Sequence, residues 1–595
     1  MSDWSGPQLA EPVVSVPGKP GGTVQRRDAI LLLSAAMLLL FWGLGWRSLW
    51  AAEGRWAEVT REMLLTGDFF HPTIGGEPYF DKPLLTYWLR AIISVATGML
   101  NELVVRLPSA ISGIVAVWAT VRVGTRLWSA RTGRIAGWFL LTTYAFVFWA
   151  RTGTADAENL AVIILAVAWY WSRRDRLNFP AMLVFYLIVF IGALTKGLTA
   201  VVVPLLVVLP DFLVERRWRL LLRPGHFLAF AIGSLLYLST FVYASFTQPS
   251  SYQSSGLGLV FQENILRYFR PIDHRGAIYL YIYVLPFLLL PWTPLFLMAV
   301  AGVVEGWKGL DRHTRWLVWA IILMFLFFTF SGSRRSYYIL PILPFCSLLM
   351  AVFVGWLRQP RLDGLRQRGL GIQKVMFTGL IAFELAIPLI LIISRRVIDF
   401  EAPLSFHVAG LVVGLIAALA AWIFARIARG PTSPEGTNEA VWPQIAVAVV
   451  LLGGYFFWQQ DILEINRTER PFARQLQARI TGSSPMRIGI FPKSSANILF
   501  YLDSERPVEV LRDPDQLRRF TDEEYPGVLI TQQRYAAGLP AEITAKLQTQ
   551  RSLHEDVRSW ESRSSKKEKW VAWFWETPAD AGGMMEVKEG VEDAK

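Results

Sequence analysis

Residues Ala29–Trp46 read AILLLSAAMLLLFWGLGW, an apolar run of about the length that crosses a bilayer as a helix. A polar loop follows from Glu53 to Trp88, which opens EGRWAE and closes YFDKPLLTYW. Acidic, basic and aromatic side chains stand closer together in this loop than a plain connector requires. The sequence therefore predicts a membrane-spanning helix followed by a surface that holds a charged, amphiphilic substrate at the membrane edge.

The composition of the whole chain is that of an integral membrane protein. Of 595 residues, 53% are hydrophobic and 18% are charged. Apolar runs recur, and since backbone groups in lipid must be paired, we expect helices; a porin-like barrel would show short alternating strands instead. The single cysteine, Cys346, excludes an intramolecular disulfide framework.

The apolar runs predict about thirteen spans. They are centred near residues 40, 115, 142, 164, 187, 205, 236, 288, 322, 347, 385, 417 and 449. Alternate connections are rich in arginine, for example Arg173-Arg174-Asp175-Arg176 and Arg216-Arg217-Trp218-Arg219. By the positive-inside rule these connections are cytoplasmic, which places the Glu53–Trp88 loop and the C-terminus outside. The formal net charge of +12 then reflects topology and not nucleic-acid binding.

Four segments are predicted along the chain. Residues 1–27 form a disordered cytoplasmic tail, and residues 28–460 form the membrane part, with interfacial helices within 51–100. After residue 460 the strand patterns Met486–Phe491, Val508–Leu511, Val528–Thr531 and Trp570–Trp575 alternate with helical patterns. This indicates a small extracytoplasmic α/β domain at residues 461–577, followed by a disordered tail at 578–595.

Charged groups also stand at the predicted outer ends of the spans. Asp156 follows the third span, and Lys196 ends the fifth. Two longer outer connections carry further candidates: Arg267 and His274 in one, Arg334, Arg335, Tyr337 and Tyr338 in the other. Lysine and arginine suit phosphate oxyanions, and a histidine beside Asp81 or Glu53 suits a metal ion. The alternative for any single residue is a solvated acid, a helix cap or a cation reaching the headgroups.

The ordered set of motifs resembles a known family. The set is EGRWAE at Glu53, YFDKP at Tyr79, TAD ending at Asp156, TKG around Lys196, EN through HRG at residues 263–276, LPW at residues 290–292 and YILP ending at Pro341. Together they look like the lipid A aminoarabinose transferases and the related bacterial dolichyl-phosphate-mannose-type glycosyltransferases of the GT-C superfamily. The motifs span roughly residues 28–350. The resemblance implies a GT-C type polytopic helical fold in the bacterial inner membrane, with its active site facing the periplasm.

The resemblance also implies residue roles. Glu53, with Asp156, would activate the acceptor, while Lys82, Arg267 and Arg334, together with Lys196, would stabilise the lipid phosphate. Tyr337 and Tyr338 would line the donor pocket, and Asp81 with His274 would hold a divalent metal ion. The sequence departs from the family pattern at Ala52, where an aspartate proposed as catalytic normally precedes the glutamate. We therefore expect the acidic role to move to Glu53.

The predicted activity is inverting transfer of a sugar from a polyprenyl-phosphate donor to a lipid, glycan or protein acceptor. Besides these substrates the expected partners are membrane lipids, with no nucleic acid. One alternative is a transporter or flippase for a lipid-linked sugar, which would carry charge near mid-span and paired broken helices. Another is a catalytically impaired binding homologue, for which Ala52 is the main argument.

Overall fold

The fold is predominantly helical, with one substantial sheet near the C-terminus. The computed structural model describes residues 22–50, 52–80, 82–247, 258, 266–269, 276–356, 363–398, 404–427, 441–460, 469–481, 486–504, 508–522, 526–555 and 568–575.

The helices up to residue 460 are bounded as follows: α1 Arg26–Phe41, α2 Glu53–Thr66, α3 Leu85–Thr97, α4 Glu102–Leu127, α5 Ala130–Leu141, α6 Tyr144–Ala150, α7 Asp156–Arg173, α8 Phe179–Lys196, α9 Thr199–Val214, α10 Pro224–Thr247, α11 Leu280–Leu288, α12 Thr293–Gly306, α13 Arg312–Phe330, α14 Leu343–Trp356, α15 Asp363–Ile398, α16 Leu404–Ile427 and α17 Val441–Gly454.

Several of these helices are long and apolar enough to cross a membrane. Within the described residues five qualify alone: Glu102–Leu127, Phe179–Lys196, Pro224–Thr247, Arg312–Phe330 and Val441–Gln459. The helices α11 and α12 qualify together as a sixth span bent by 119°. Shorter apolar helices occur at Thr199–Val214, Leu340–Trp356 and His407–Ile423. The protein is therefore a multi-pass helical membrane protein, while the expected thirteen spans are not individually resolved by length and composition.

The stretch expected to be one span near residue 142 is two helices, α5 and α6. Thr142 and Thr143 direct their hydroxyls back to the carbonyls of Trp138 and Phe139, at 2.6 and 2.7 Å. The Tyr144 N–H donates to the Leu290 carbonyl at 2.9 Å, at the bend of the α11–α12 pair. A backbone hydrogen bond thus joins the break between α5 and α6 to the break between α11 and α12. Irregular backbone inside a membrane protein needs such internal partners.

The polar loop after α1 contains two helices, α2 and α3. The apolar positions Trp56, Val59 and Met63 are buried along α2, which ends at Gly67 with φ +71°. A two-residue hairpin that the sequence did not predict, β1 (Thr73–Ile74) with β2 (Glu77–Pro78), lies between α2 and α3. The buried carboxylate of Glu62 holds this hairpin by accepting from the Gly75 and Gly76 N–H groups at 2.5 and 3.2 Å.

The C-terminal sheet has five strands in the order β4-β3-β5-β7-β6. The pairs β3–β4 and β3–β5 are parallel, and β7 runs antiparallel to both β5 and β6. The predicted strand segments are strands; β6 was not predicted. The bounds of the strands and their helices are β3 Arg487–Phe491, β4 Val508–Val510, β5 Gly527–Gln532, β6 Arg551–His554, β7 Trp570–Trp575, α18 Arg470–Thr481, α19 Ala496–Leu502, α20 Pro514–Asp522, α21 Gln533–Ala536 and α22 Ala541–Gln548.

The C-terminal domain packs against the start of α2 and of α4, chiefly through α19. Ile488 and Ile490 of β3 share a buried cluster with Leu49, Ala57 and Val105. The Leu49 N–H donates to the Tyr501 hydroxyl at 2.6 Å, and that hydroxyl donates to Glu102 at 3.2 Å. Through Tyr501, helix α19 therefore fixes the loop before α2 and the first turn of α4.

Candidate functional site

An ion pair between Lys196 and Asp156 lies at one end of the helix bundle. The ammonium contacts Asp156 Oδ1, and the Thr154 hydroxyl donates to Oδ2 at 2.9 Å. The ammonium also stands 5.7 and 5.3 Å from the ring centroids of Tyr337 and Tyr338. A partly exposed cation between a carboxylate and two rings is suited to a charged headgroup with an amphiphilic body.

Chain direction explains why these residues meet. Asp156 is the first residue of α7 and Lys196 the last residue of the antiparallel helix α8, so both lie at the same end. Tyr337 and Tyr338 come from the connection after α13, where Tyr337 packs on Trp149 at 4.4 Å and accepts from Arg335 at 2.8 Å. The topology-based expectation that the groups of separate outer loops converge is met for these four residues.

Glu53 lies in a different, fully buried network. Its carboxylate accepts a two-pronged contact from Arg106, with Nε at 2.8 Å and Nη2 at 2.9 Å. Arg47 donates at 3.2 Å, the Trp50 N–H at 2.9 Å and the Gly153 N–H at 2.6 Å. Glu53 is 0% exposed. Its two oxygens thus have five donors, all from the protein.

This environment sets the acidity of Glu53. Burial raises the pKa of a carboxyl, but the charges of Arg106 and Arg47 and the donated hydrogen bonds outweigh it, so the pKa is lowered to about 2. An acceptor that is this acidic and this fully occupied has little capacity to take a proton. The geometry therefore favours an anchoring role for Glu53 over the general-base role expected from the sequence.

One short loop joins the two networks. Gly153 donates to Glu53, and Thr154, the next residue, donates to Asp156. A Cβ on Gly153 would stand 2.7 Å from Val105 Cγ1, so glycine is required for this close approach. The Ser109 hydroxyl fixes the same loop by donating to the Thr154 carbonyl at 2.9 Å. The position of Asp156 consequently depends on Glu53.

A second buried pair lies directly behind this loop. Arg90, 0% exposed, donates to the Val105 carbonyl at 2.9 Å and to the Thr86 carbonyl at 2.7 Å, and it reaches Glu158 at 3.4 Å. Glu158 stands one helical half-turn after Asp156 and also accepts from Ser109. This pair connects α3, α4 and α7 and supports the first turn of α7.

The remaining predicted residues are more widely distributed. Arg334 donates to the Thr329 and Gly276 carbonyls, so its guanidinium ties loop backbone together. Lys82 is half-buried just before α3. Arg267 stands in a single helical turn, Arg267–Phe269, and its side chain lies outside the described residues.

The predicted metal ligands, Asp81 and His274, also lie outside the described residues. Among the residues that are described, no group of three or more His, Cys, Asp or Glu could hold a metal ion. The donor chemistry of a carboxylate and an imidazole fits a divalent transition metal.

The helix α2 contacts the C-terminal domain at α19 and at Ser504, which follows it. Glu58 binds Arg61 through two contacts of 2.8 Å, and Arg61 donates to the Ser504 carbonyl at 3.0 Å. Burial raises the pKa of Glu58 to about 7, against the opposing effect of Arg61. Gly54 faces α19, where an added Cβ would meet Asn497 Oδ1 at 1.7 Å.

Sequence reasoning missed Arg106, Arg90 and Glu158. A signal was present, because an arginine or glutamate within an apolar helix is costly unless it is paired. Arg106 stands in the first turns of α4 and Glu158 in the first turn of α7. The ionisable residues within these helices therefore predict buried pairs, but not which residue pairs with which.

The chain is similar to known proteins both in sequence and in fold. The profile of the dolichyl-phosphate-mannose-protein mannosyltransferase family matches residues 81–243. A protein of Pseudomonas paraeruginosa (strain DSM 24068 / PA7), named undecaprenyl phosphate-alpha-4-amino-4-deoxy-L-arabinose arabinosyl transferase, is 30% identical over 417 residues. That match covers 67% of this chain and 72% of the relative. A protein of the same name from Pseudomonas savastanoi pv. phaseolicola is 30% identical over 367 residues, 60% of this chain and 67% of the relative.

Among solved structures, the crystal structure of ArnT from Cupriavidus metallidurans bound to undecaprenyl phosphate matches with a TM-score of 0.68. The match covers 92% of this chain and 97% of that chain at 21% identity. The apo state of the same protein matches with a TM-score of 0.64. At this identity the likeness establishes a shared fold.

Proposed function

Since the chain belongs to the family of undecaprenyl phosphate-aminoarabinose arabinosyl transferases, we propose that it transfers a sugar from a polyprenyl-phosphate donor to an envelope acceptor. The donor class follows from the names of the relatives. Lipid A, another glycan and a protein are the candidate acceptors. The single observation that carries the proposal is the Lys196–Asp156 pair between Tyr337 and Tyr338, because it offers a cation and rings to a lipid phosphate that bears a sugar.

The proposed reaction is one inverting displacement. An acceptor oxygen forms a bond to the anomeric carbon while the bond from that carbon to the phosphate oxygen breaks, and the prenyl phosphate leaves with the electron pair. A base removes the proton of the acceptor. Because the leaving phosphate gains charge as the bond breaks, cations placed against it stabilise the transition state more than the ground state.

We assign the phosphate to Lys196 and keep Lys82, Arg267 and Arg334 as further cations for it. Lys196 is supported best, because its side chain is 17% exposed beside the two tyrosines. Arg334 is supported as a loop anchor, since its guanidinium already binds two carbonyls. Tyr337 and Tyr338 would form the wall of the donor pocket.

We assign the proton acceptor to Asp156 and an anchoring role to Glu53. Asp156 has one oxygen against Lys196 and the other against Thr154, so donor phosphate that draws Lys196 away would free a carboxylate oxygen. Glu53 would hold the Gly153–Thr154 loop, and hence Asp156, at the correct distance. Ala52, in place of an aspartate, is then compatible with activity.

A divalent ion held by Asp81 and His274 remains part of the proposal. Such an ion would supply positive charge to the leaving phosphate. Transfer by protein treated with a chelator and then resupplied with Mn²⁺ or Mg²⁺ would test it. Unchanged turnover after chelation would remove the metal from the mechanism.

We further propose that the site and the domain at residues 461–577 face the periplasm of a bacterial inner membrane, with thirteen spans in total. The alternation of arginine-rich connections supports this orientation. Labelling a cysteine introduced at Thr481 with an impermeant reagent tests it in whole cells, because the native Cys346 is buried. Labelling only after the inner membrane is opened would reverse the orientation.

Bent helix pairs such as α11 and α12 also occur in transporters, the first alternative function for this chain. Here the backbone freed at the bend is bound by protein: the Gln373 amide donates to the Pro291 carbonyl at 2.9 Å and accepts from Leu295 at 3.2 Å. These contacts favour a structural role for the bend. Mass spectrometry of envelope glycolipids from a deletion strain would identify the sugar and the acceptor, and an unchanged glycolipid profile would contradict transfer.

A further inference from the structure

A cleft opens between α1, α4 and α7, at the end of the bundle opposite to the Lys196–Asp156 pair. Its volume is about 960 Å³. The helix α7 begins at Asp156 and reaches the cleft only at Leu165, Ala168 and Ser172, so about 24 Å separates Asp156 from Ser172 along the helix axis. The cleft is thus separate from the donor site.

The two ends of the cleft differ in chemistry. Its inner part is apolar, with Leu33 of α1, Ile114 and Trp118 of α4 and Leu165 of α7 among its lining residues. Its outer part carries the arginines Arg122, Arg126 and Arg134. No acidic residue is among the described residues that line it. An apolar channel that ends in cations is complementary to a lipid with an anionic headgroup.

The charges of these arginines are unequally neutralised. Arg126 pairs with Asp175 at 3.1 Å, and Arg134 pairs with Asp28. Arg122 is exposed and lies over the Trp118 ring at 6.0 Å. The structure gives it no carboxylate partner among the described residues. Arg122 is therefore the cation most open to an added phosphate.

We propose that this cleft binds one anionic glycerophospholipid, with its phosphate against Arg122, beside Arg126 and Arg134, and its acyl chains along Leu33, Ile114 and Leu165. A prenyl phosphate is a poorer fit, since its phosphate is assigned to the opposite end of the bundle. In the proposed orientation the cleft opens to the cytoplasmic leaflet, which is rich in anionic lipid. The site would tie the enzyme to lipid composition without touching its substrates.

The test is native mass spectrometry of the purified full-length protein, titrated with dioleoyl phosphatidylglycerol or dioleoyl phosphatidylcholine. We expect one phosphatidylglycerol to bind with clear preference over phosphatidylcholine. Arg122→Gln should lower the affinity for phosphatidylglycerol about fivefold, the effect of one cation at an anionic surface. Ala168→Phe, which fills the apolar part, should weaken both lipids. The matched control is Arg176→Gln, because Arg176 is an exposed cation at the same end of the bundle outside the cleft.

Three results would overturn the proposal. Equal binding of the two lipids would make the cleft a general apolar groove. Equal loss in Arg122→Gln and Arg176→Gln would show diffuse attraction by the basic face. Displacement of phosphatidylglycerol from this cleft by undecaprenyl phosphate at lower concentration would assign it to the donor lipid. Melting temperatures of each variant in phosphatidylcholine would verify that all of them are folded.

Discussion

Arg106 grips Glu53 with two nitrogens, Nε at 2.8 Å from Oε1 and Nη2 at 2.9 Å from Oε2. The other hydrogen bonds of the Arg106 guanidinium go to carbonyls of the loop that follows α1. Its Nη1 donates to Leu44 and Arg47 at 2.9 and 2.7 Å, and its Nη2 also donates to Ser48 at 2.7 Å. Because both side chains are buried, this pair holds the loop between α1 and α2 in place.

Glu53→Gln is expected to lower the stability of the protein and not to act directly on the transfer step. The substitution leaves Arg106 and Arg47 without their carboxylate in a buried place, and breaking such a pair costs about 3–5 kcal/mol. We expect a lower melting temperature and reduced recovery of monodisperse protein in detergent. Glu542→Gln is the control, since Glu542 is exposed. Normal stability combined with a rate lowered about 10² would instead restore Glu53 as the general base.

Lys196→Ala and Lys82→Ala are each expected to lower the transfer rate by about 10²–10³, the scale for a lost charge-assisted contact in the transition state. Lys196→Arg should recover part of the rate, because the charge is kept beside Asp156. Lys308→Ala, at an exposed position, serves as the control. Rates are measured with a synthetic prenyl-phosphate sugar at saturating acceptor. If both alanine variants turn over normally, the phosphate lies elsewhere.

The stability of the protein should fall as the pH rises from about 4.5 to about 7 through Glu58. Burial raises the pKa of this carboxyl from its ordinary 4.5 to about 7 in the folded chain. The folded state then holds a proton that the unfolded state has lost, so raising the pH across this window favours unfolding. Melting temperatures near pH 5 and near pH 8 should differ less in Glu58→Gln than in the unmodified protein. An unchanged difference would assign the pH dependence to other groups.

Gly54→Ala is expected to separate α2 from the C-terminal sheet. The added Cβ would stand 1.7 Å from Asn497 Oδ1 and 3.0 Å from the backbone nitrogen of the same residue, so the Asn497 side chain must rotate or α19 must move away. Overpacking of this kind costs about 1–3 kcal/mol. The double variant Gly54→Ala, Asn497→Ala should regain much of the loss. Gly371→Ala is the control, since nothing lies within 4 Å of its Cβ position. No recovery in the double variant would show that the backbone of α19, and not the Asn497 side chain, limits the approach.

Much of the architecture was predictable because its signals are local. Apolar runs reveal helices in a membrane protein, and the C-terminal segment showed its strands through short apolar stretches such as Trp570–Trp575, which is strand β7 with those bounds. The convergence of Asp156 and Lys196 also followed from chain direction, since one begins a helix and the other ends its antiparallel neighbour.

The rest depends on contacts between distant residues. Arg106 stands 53 positions from Glu53, and nothing local in either segment reveals that they pair. The break between α5 and α6 is equally hidden, because Thr142 and Thr143 are tolerated in apolar helices. The helix α5 ends here because the Leu290 carbonyl accepts from the Tyr144 N–H and the Trp292 indole donates to the Thr142 hydroxyl.

The most direct test of the central claim is transfer by the purified protein in detergent. The substrate is a synthetic undecaprenyl phosphate that carries 4-amino-4-deoxy-arabinose, with lipid A as the first acceptor and an envelope glycan extract as the second. The account predicts that the unmodified protein releases undecaprenyl phosphate and forms a glycosylated acceptor with inverted anomeric configuration. It also predicts that Asp156→Asn, while folded, is slower by about 10² or more. Binding of the donor with its sugar left intact in every case would contradict the account and identify a carrier or a binding protein.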